Sequence, residues 1–124
     1  MLGLLAGNWL THVYTDHMEE TVYQALADVA LSSIENAFRD IDVDVVDCER
    51  SGDVITLLLK GGTRCVINTQ RPTRQIWMAA EARGWHFSYD PHSKRWIDDK
   101  GHGLELFAQL AAIVKNATGE EIVV

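Results

Sequence analysis

The stretch Val66-Ile67-Asn68-Thr69-Gln70-Arg71-Pro72-Thr73-Arg74-Gln75-Ile76-Trp77 reads as two short strands folded back on each other around a proline turn. Side chains alternate across a strand, so Ile76 and Met78 point one way while Gln75 and Trp77 point the other. By the same parity Cys65 and Ile67 oppose Val66, Asn68 and Gln70. If the aliphatic set faces a core, a large aromatic and three neutral amides are left on the outer face. Exposed Trp beside adaptable hydrogen-bonding groups is enriched at binding hot spots. A loop or N-terminal segment laid over Trp77 explains the same pattern, and on the strand alone both readings stay open.

Working outward, strand patterns occur at residues 45–49, 54–60 and 63–70, with Ser51-Gly52-Asp53 and Gly61-Gly62 as tight turns between them. After Pro72 come residues 74–80 and 85–89, an Asp90-Pro91 turn, and residues 95–98. Connections this short cannot form parallel crossovers, so an antiparallel sheet of about six strands is expected. Before the strands, apolar residues recur at Val22, Leu26, Val29, Ala30, Ile34, Ala37 and Phe38, opposite Glu20, Gln24, Asp28 and Glu35. That rhythm is one face of a helix within Met18 to Arg39. Asp16 followed by Glu19 has the spacing of a capping box and sets the expected start. A second helix after Gly103 presents Leu104, Phe107, Leu110, Ala111 and Val114 and stops at Gly119. The order predicts an α+β two-layer sandwich with both helices on one face of the sheet. Residues 1–15 are read as an N-terminal arm and 16–124 as a single domain.

At 124 residues and 47% hydrophobic, the chain suits one domain around one core. A net charge of -7 argues against nucleic acid, including a sheet that uses Trp77 to stack RNA bases, because phosphate binding draws on clustered Lys and Arg. Cations and basic protein surfaces are the better partners. No apolar run approaches the ~18 residues needed to cross a membrane. The opening MLGLLAG has no Lys or Arg ahead of it, which fits neither an intact signal peptide nor an intact Arg-rich transit peptide and suits the remnant of processing. Cys48 and Cys65 lack the close spacing of a zinc or redox motif and are read as buried free thiols, with a disulfide as the alternative.

The main charge feature is Glu35, Asp40, Asp42, Asp44, Asp47, Glu49 and Asp53, interrupted among charged residues only by Arg39 and Arg50. Asp42 and Asp44 share one strand parity, Asp47 and Glu49 the other. Such a ridge is a solvated edge that discourages strand pairing, an oxygen-only surface for hard cations, or a complement to an Arg-rich partner. None of His12, His17, His86, His92 and His102 forms a His-x-x-x-His pair or sits at ligand spacing with Cys. His86 on a strand and His92 in a turn are read as structural or surface residues. Glu19 beside Glu20 adds a carboxylate, although its capping role already explains it. Ser32-Ser33, Ser51 and Ser88 lack a nucleophile motif, and Gly61-Gly62 joins two strands instead of opening a helix, so no conventional active site is expected.

The Val-Ile-Asn-x-Gln-x-Pro pattern running into Gln-Ile-Trp at 66–77 resembles the signature strand pair of the frataxin family, including its bacterial CyaY branch. The likeness extends from about Met18 to Gly119 and includes the acidic first helix, the short hairpins, the Trp96 strand and the closing helix. It implies an iron-binding regulator of iron-sulfur cluster assembly that acts on a cysteine desulfurase-scaffold complex, with Fe(II) delivery and at most a weak ferroxidase activity. Iron, Fe2+ or Fe3+, would be weakly held at the surface by Glu19, Glu20, Asp28, Glu35, Asp40, Asp42, Asp44, Asp47 and Glu49. Docking would use Asn68, Gln70, Gln75 and Trp77, and a monomer is expected. The alternative is a metal-independent interaction module using the acidic ridge and the Trp face. Thr69 stands where the family often has Lys, and Thr73-Arg74 where it has Asn-Lys. Residues 82–87 look bacterial, whereas Glu20 to Tyr23 and the preceding arm look eukaryotic. The mitochondrial matrix is therefore the expected compartment, with bacterial cytoplasm as the alternative.

Overall fold

Six strands pair in their sequence order, every pair antiparallel: β1 (Val46–Ser51), β2 (Val54–Leu59), β3 (Arg64–Gln70), β4 (Gln75–Ala80), β5 (Arg83–Asp90) and β6 (Arg95–Asp98). The structure is a computed structural model that describes residues 18–124. The expected arm 1–15, the capping residue Asp16, His12 and His17 lie outside the described residues. Helix α1 (Glu20–Ala37) precedes the sheet and α2 (Leu106–Thr118) follows it. One pleat parity of the sheet, represented by Ile55, Leu57, Cys65, Ile67, Ile76, Met78 and Phe87, is buried in a single core with Leu31 and Ile34 of α1 and Leu110 and Val114 of α2. Both helices therefore cover the same face, as a two-layer α+β sandwich requires.

The stripe that α1 buries differs from the expected one. Tyr23, Ala27, Ala30, Leu31, Ile34 and Phe38 are buried, while Val22 and Val29 are 39% and 64% exposed. The cause is Tyr23, whose hydroxyl donates to Gln75 O at 2.6 Å and accepts from Gln70 N at 3.1 Å. This turns the helix so that the phenol, not the neighbouring valine, enters the core. The same two bonds tie both ends of the proline turn, a single 3-10 turn at Arg71–Thr73, to the helix layer. Glu19 occupies the N-cap position itself and makes no side-chain cap bond, so the capping box expected of it does not form. In α2 the cap is Glu105, whose carboxylate accepts from Phe107 N and Ala108 N. Leu104, Phe107 and Ala111 are only half-buried, and Leu106 and Ile113 take core places that the expected face lacked.

β1 runs on to Ser51, leaving only Gly52-Asp53 as its turn, and β5 begins at Arg83, two residues before the expected start. The extension of β5 rests on a two-residue turn in which Glu81 and Ala82 both have positive φ, 55° and 62°. Gly61 and Gly62 meet a similar demand in the β2-β3 turn without a Cβ. An L-residue held in that region costs roughly 1–2 kcal/mol, and Asn-Gly is the sequence such hairpins favour. Glu81→Asn combined with Ala82→Gly is expected to stabilise the fold by about 1 kcal/mol, a midpoint rise of about 4–8 °C. A thermal melt showing no rise would mean that this turn carries no strain.

Cys48 and Cys65 both lie opposite Leu57, on the strands either side of β2. Two strand spacings of about 4.8 Å each keep them beyond disulfide reach, and both are free. Cys65 is buried as expected, whereas Cys48 is only half-buried because β1 is the sheet's edge strand.

Candidate functional site

The sheet face away from the helices, which no other described element covers, brings the four expected docking residues into two adjacent rows. Asn68 pairs with Trp77 and Gln70 with Gln75. One strand further, Trp77 pairs with His86 and Gln75 with Ser88. The Trp77 ring is half-buried and stacks on the His86 imidazole at 4.1 Å between centroids and 14° between planes. Its indole N–H donates to Gln75 Oε1 at 2.9 Å. The Gln75 amide in turn donates to Ser88 Oγ at 3.1 Å and Asp99 Oδ2 at 3.0 Å. That same Asp99 oxygen lies 3.6 Å from His86 Nδ1. Gln75 is therefore buried, not the exposed amide that strand parity alone suggests, because its own bonding partners enclose it. Asn68 and Gln70 are half-buried, and Val54 and Leu58 expose aliphatic surface on the same face. Among the described residues, what covers one side of Trp77 is the imidazole of the neighbouring strand; the N-terminal segment offered as a cover lies outside the described residues.

Asp99 owes its place to Asp98. The buried Asp98 carboxylate accepts from the N–H groups of Leu104 at 2.8 Å, Lys100 at 3.3 Å and His102 at 3.4 Å, wrapping the connection from β6 to α2 around itself. Burial pushes this carboxyl up, and the backbone N–H bonds from Leu104, His102 and Lys100 together outweigh it, so the group is held below the usual carboxylate range. From sequence His86 reads only as a structural or surface residue; the signal that puts it on this face is the parity that sends Trp85 and Phe87 to the core. Asp99 left no such signal, since it arrives through an irregular connection.

The acidic residues divide into two groups. Arg50 projects from the helix-covered side of β1 toward α1, meeting Asp28 at 2.6 Å, Ser32 Oγ at 3.0 Å and Glu35 at 3.6 Å. Asp28 and Glu35 thus already share a cation. Asp40, Asp42 and Asp44, in the connection from α1 to β1, and Asp47 and Glu49 on β1 are all exposed. Asp42 Oδ1 accepts from Asp44 N at 2.9 Å, a local turn that holds the connection. Glu19 and Glu20 sit exposed at the start of α1, away from β1 in sequence and on the helix layer. Among the described residues no three His, Cys, Asp or Glu side chains converge on a point that would enclose a metal ion. The ridge is a charged oxygen surface suited to attracting a hard cation loosely. The Cys48 thiol beside it is pushed up by burial, then by Glu35 and Asp47, which keeps it a thiol instead of a thiolate ligand at neutral pH. His92 and His102 are exposed. No helix among the described residues is long and apolar enough to cross a membrane.

Comparison with known proteins agrees with the fold. The family model for the Frataxin-like domain matches residues 16–120. The iron-sulfur cluster assembly protein CyaY of Pseudomonas fluorescens (strain Pf0-1) is 38% identical over 104 residues, covering 84% of this chain and 93% of that protein. The protein of the same name from Paraburkholderia phytofirmans is 37% identical over 105 residues, covering 85% of this chain and 96% of its own length. Among solved structures, frataxin from Psychromonas ingrahamii superposes with a TM-score of 0.76 at 30% identity, over 85% of this chain and 96% of that one. Trimeric yeast frataxin from Saccharomyces cerevisiae, complexed with ferrous iron, gives a TM-score of 0.61 at 28% identity, over 82% and 88% of the two chains.

Proposed function

The chain belongs to the frataxin family, and from that premise we propose that it acts in iron-sulfur cluster assembly, docking on a cysteine desulfurase-scaffold complex and holding iron weakly on its acidic ridge. The observation that carries this reading is the sheet face that no described element covers, where Trp77 is held by a network of Gln75, His86 and Asp99. Asp47 and Glu49 belong to the same face, three strands from Trp77 or about 15 Å across the sheet at ordinary strand spacing, with Glu49 two and Asp47 four residues along β1 from Ser51, where the Trp77 row ends. Iron gathered there would lie at the rim of the docked complex, which suits Fe(II) delivery. Its relatives' names support the pathway, and the ferrous complex of the yeast protein supports the cargo. The bacterial relatives favour cytoplasm over the mitochondrial matrix suggested by the N-terminal pattern. We take the working unit to be the monomer.

The internal pairing of Asp28 and Glu35 with Arg50 favours a second reading, in which the ridge chiefly meets a basic partner and metal is incidental. Neutralising the solvent-facing carboxylates separates the two. Asp40, Asp42, Asp44 and Asp47 replaced together by Asn are expected to weaken Fe(II) binding about tenfold or more, since each removed charge attracts a divalent ion by on the order of 1 kcal/mol at the surface. The fold should persist, with a midpoint unchanged or raised by relief of repulsion. Anaerobic calorimetric titration checks this. An unaltered iron isotherm in the folded variant removes the ridge from iron binding and leaves the interaction reading.

A further inference from the structure

We propose that Asp99 is the positioning residue of the docking platform, holding Trp77 and His86 in place from outside the strands that carry them. The inference rests on the reading that the Trp77 face docks on the assembly complex. Its basis is one oxygen with two roles: Asp99 Oδ2 accepts from Gln75 Nε2 at 3.0 Å and lies 3.6 Å from His86 Nδ1. Gln75 passes the constraint on, because its other amide atom accepts the Trp77 indole N–H at 2.9 Å. The two residues Asp99 reaches, Gln75 and His86, are linked to each other through Trp77, which bonds the first and stacks on the second, closing a ring of four side chains: Trp77, Gln75, Asp99 and His86. A flat aromatic on an open sheet has several rotamers, and holding one of them removes an ordering cost at the moment of binding. Asp99 is itself anchored, since its N–H donates to His86 O at 2.9 Å and the preceding Asp98 carboxylate gathers the connection that follows. With its side chain 35% exposed, it can be altered without opening the core.

The test uses the whole chain, a purified bacterial cysteine desulfurase-scaffold complex as probe, and the Trp77 indole proton, identified by its loss in Trp77→Phe. Asp99→Ala should lower affinity about tenfold and shift and broaden that proton, as its hydrogen bond to Gln75 becomes transient. Asp99→Asn, whose amide oxygen still accepts from Gln75, should restore affinity to within about threefold of wild type and return the indole signal. In a Trp77→Ala background Asp99→Ala should have no further effect on binding. Wild-type affinity with an unmoved indole proton in Asp99→Ala, while Trp77→Ala binds poorly, overturns the role of Asp99 alone. An equal loss with and without Trp77 also overturns it, because Asp99 would then act independently. Wild-type affinity in Trp77→Ala itself overturns the docking reading and this inference with it.

Discussion

Trp77→Ala is expected to lower affinity for a cysteine desulfurase-scaffold complex by about thirty-fold or more, the equivalent of the ~2 kcal/mol that truncating a hot-spot Trp commonly costs. The fold should lose no more than about 1 kcal/mol, because the side chain is half-buried on the face away from the helices and the core beneath it is built by Ile76 and Met78. Removing the indole also lets water reach Gln75 Oε1, so no buried acceptor is left unpaired. Iron titration should be unchanged, since no ridge carboxylate touches Trp77. Trp77→Phe keeps a ring to stack on His86 but has no N–H to give Gln75, and should fall between the two. A large drop in midpoint with partner affinity intact among the folded molecules would instead make Trp77 a structural residue.

Tyr23→Phe should produce the larger stability change, a loss of about 3 kcal/mol and a midpoint lowered by about 12 °C or more. One hydroxyl serves two backbone groups, Gln75 O and Gln70 N, and its removal orphans both beneath α1. The pH dependence follows the same chemistry. Burial pushes the Tyr23 phenol above its ordinary 10.0, and burial pushes the Cys65 thiol from 9.0 to about 12. Both are groups raised in the folded state, so their contributions are complete below the unfolded values and are lost as pH climbs toward the folded ones. Stability should hold level as far as these groups are concerned to about pH 9, then decline, first through the two raised thiols, Cys48 and Cys65, of which Cys65 alone accounts for about 4 kcal/mol by full titration. Cys65→Ala should flatten that limb even while costing packing, and denaturant melts between pH 8 and 11 would show it. A Tyr23→Phe protein melting with wild type would mean that the proline turn is held by other contacts.

The sheet was legible because its connections are too short for any other topology, and the rows of the docking face followed from strand parity plus one hairpin. Asn68 beside Trp77 and Gln70 beside Gln75 needed nothing more. The rotation of α1 was not legible, since periodicity ranks Val22 and Val29 above Tyr23 as core residues and cannot see that a phenol has two backbone groups waiting for it. Arg50 looked like a gap in the acidic run, yet its strand parity turns it to the helix side, where Asp28 and Glu35 are. Gln75 looked exposed because Asp99, which completes its hydrogen bonding, lies 24 residues away through an irregular connection.

The most direct test of the account is a reconstituted assembly reaction containing cysteine desulfurase, scaffold, Fe(II), cysteine and reductant, followed by cluster absorbance as this protein is titrated in. The predicted result is a saturable change in the rate of cluster formation that Trp77→Ala abolishes at the same concentrations, with complex formation detected for the wild-type chain and not for the variant. A rate indifferent to the wild-type protein up to saturating concentrations, together with no complex detected, would contradict a role in iron-sulfur cluster assembly through this face.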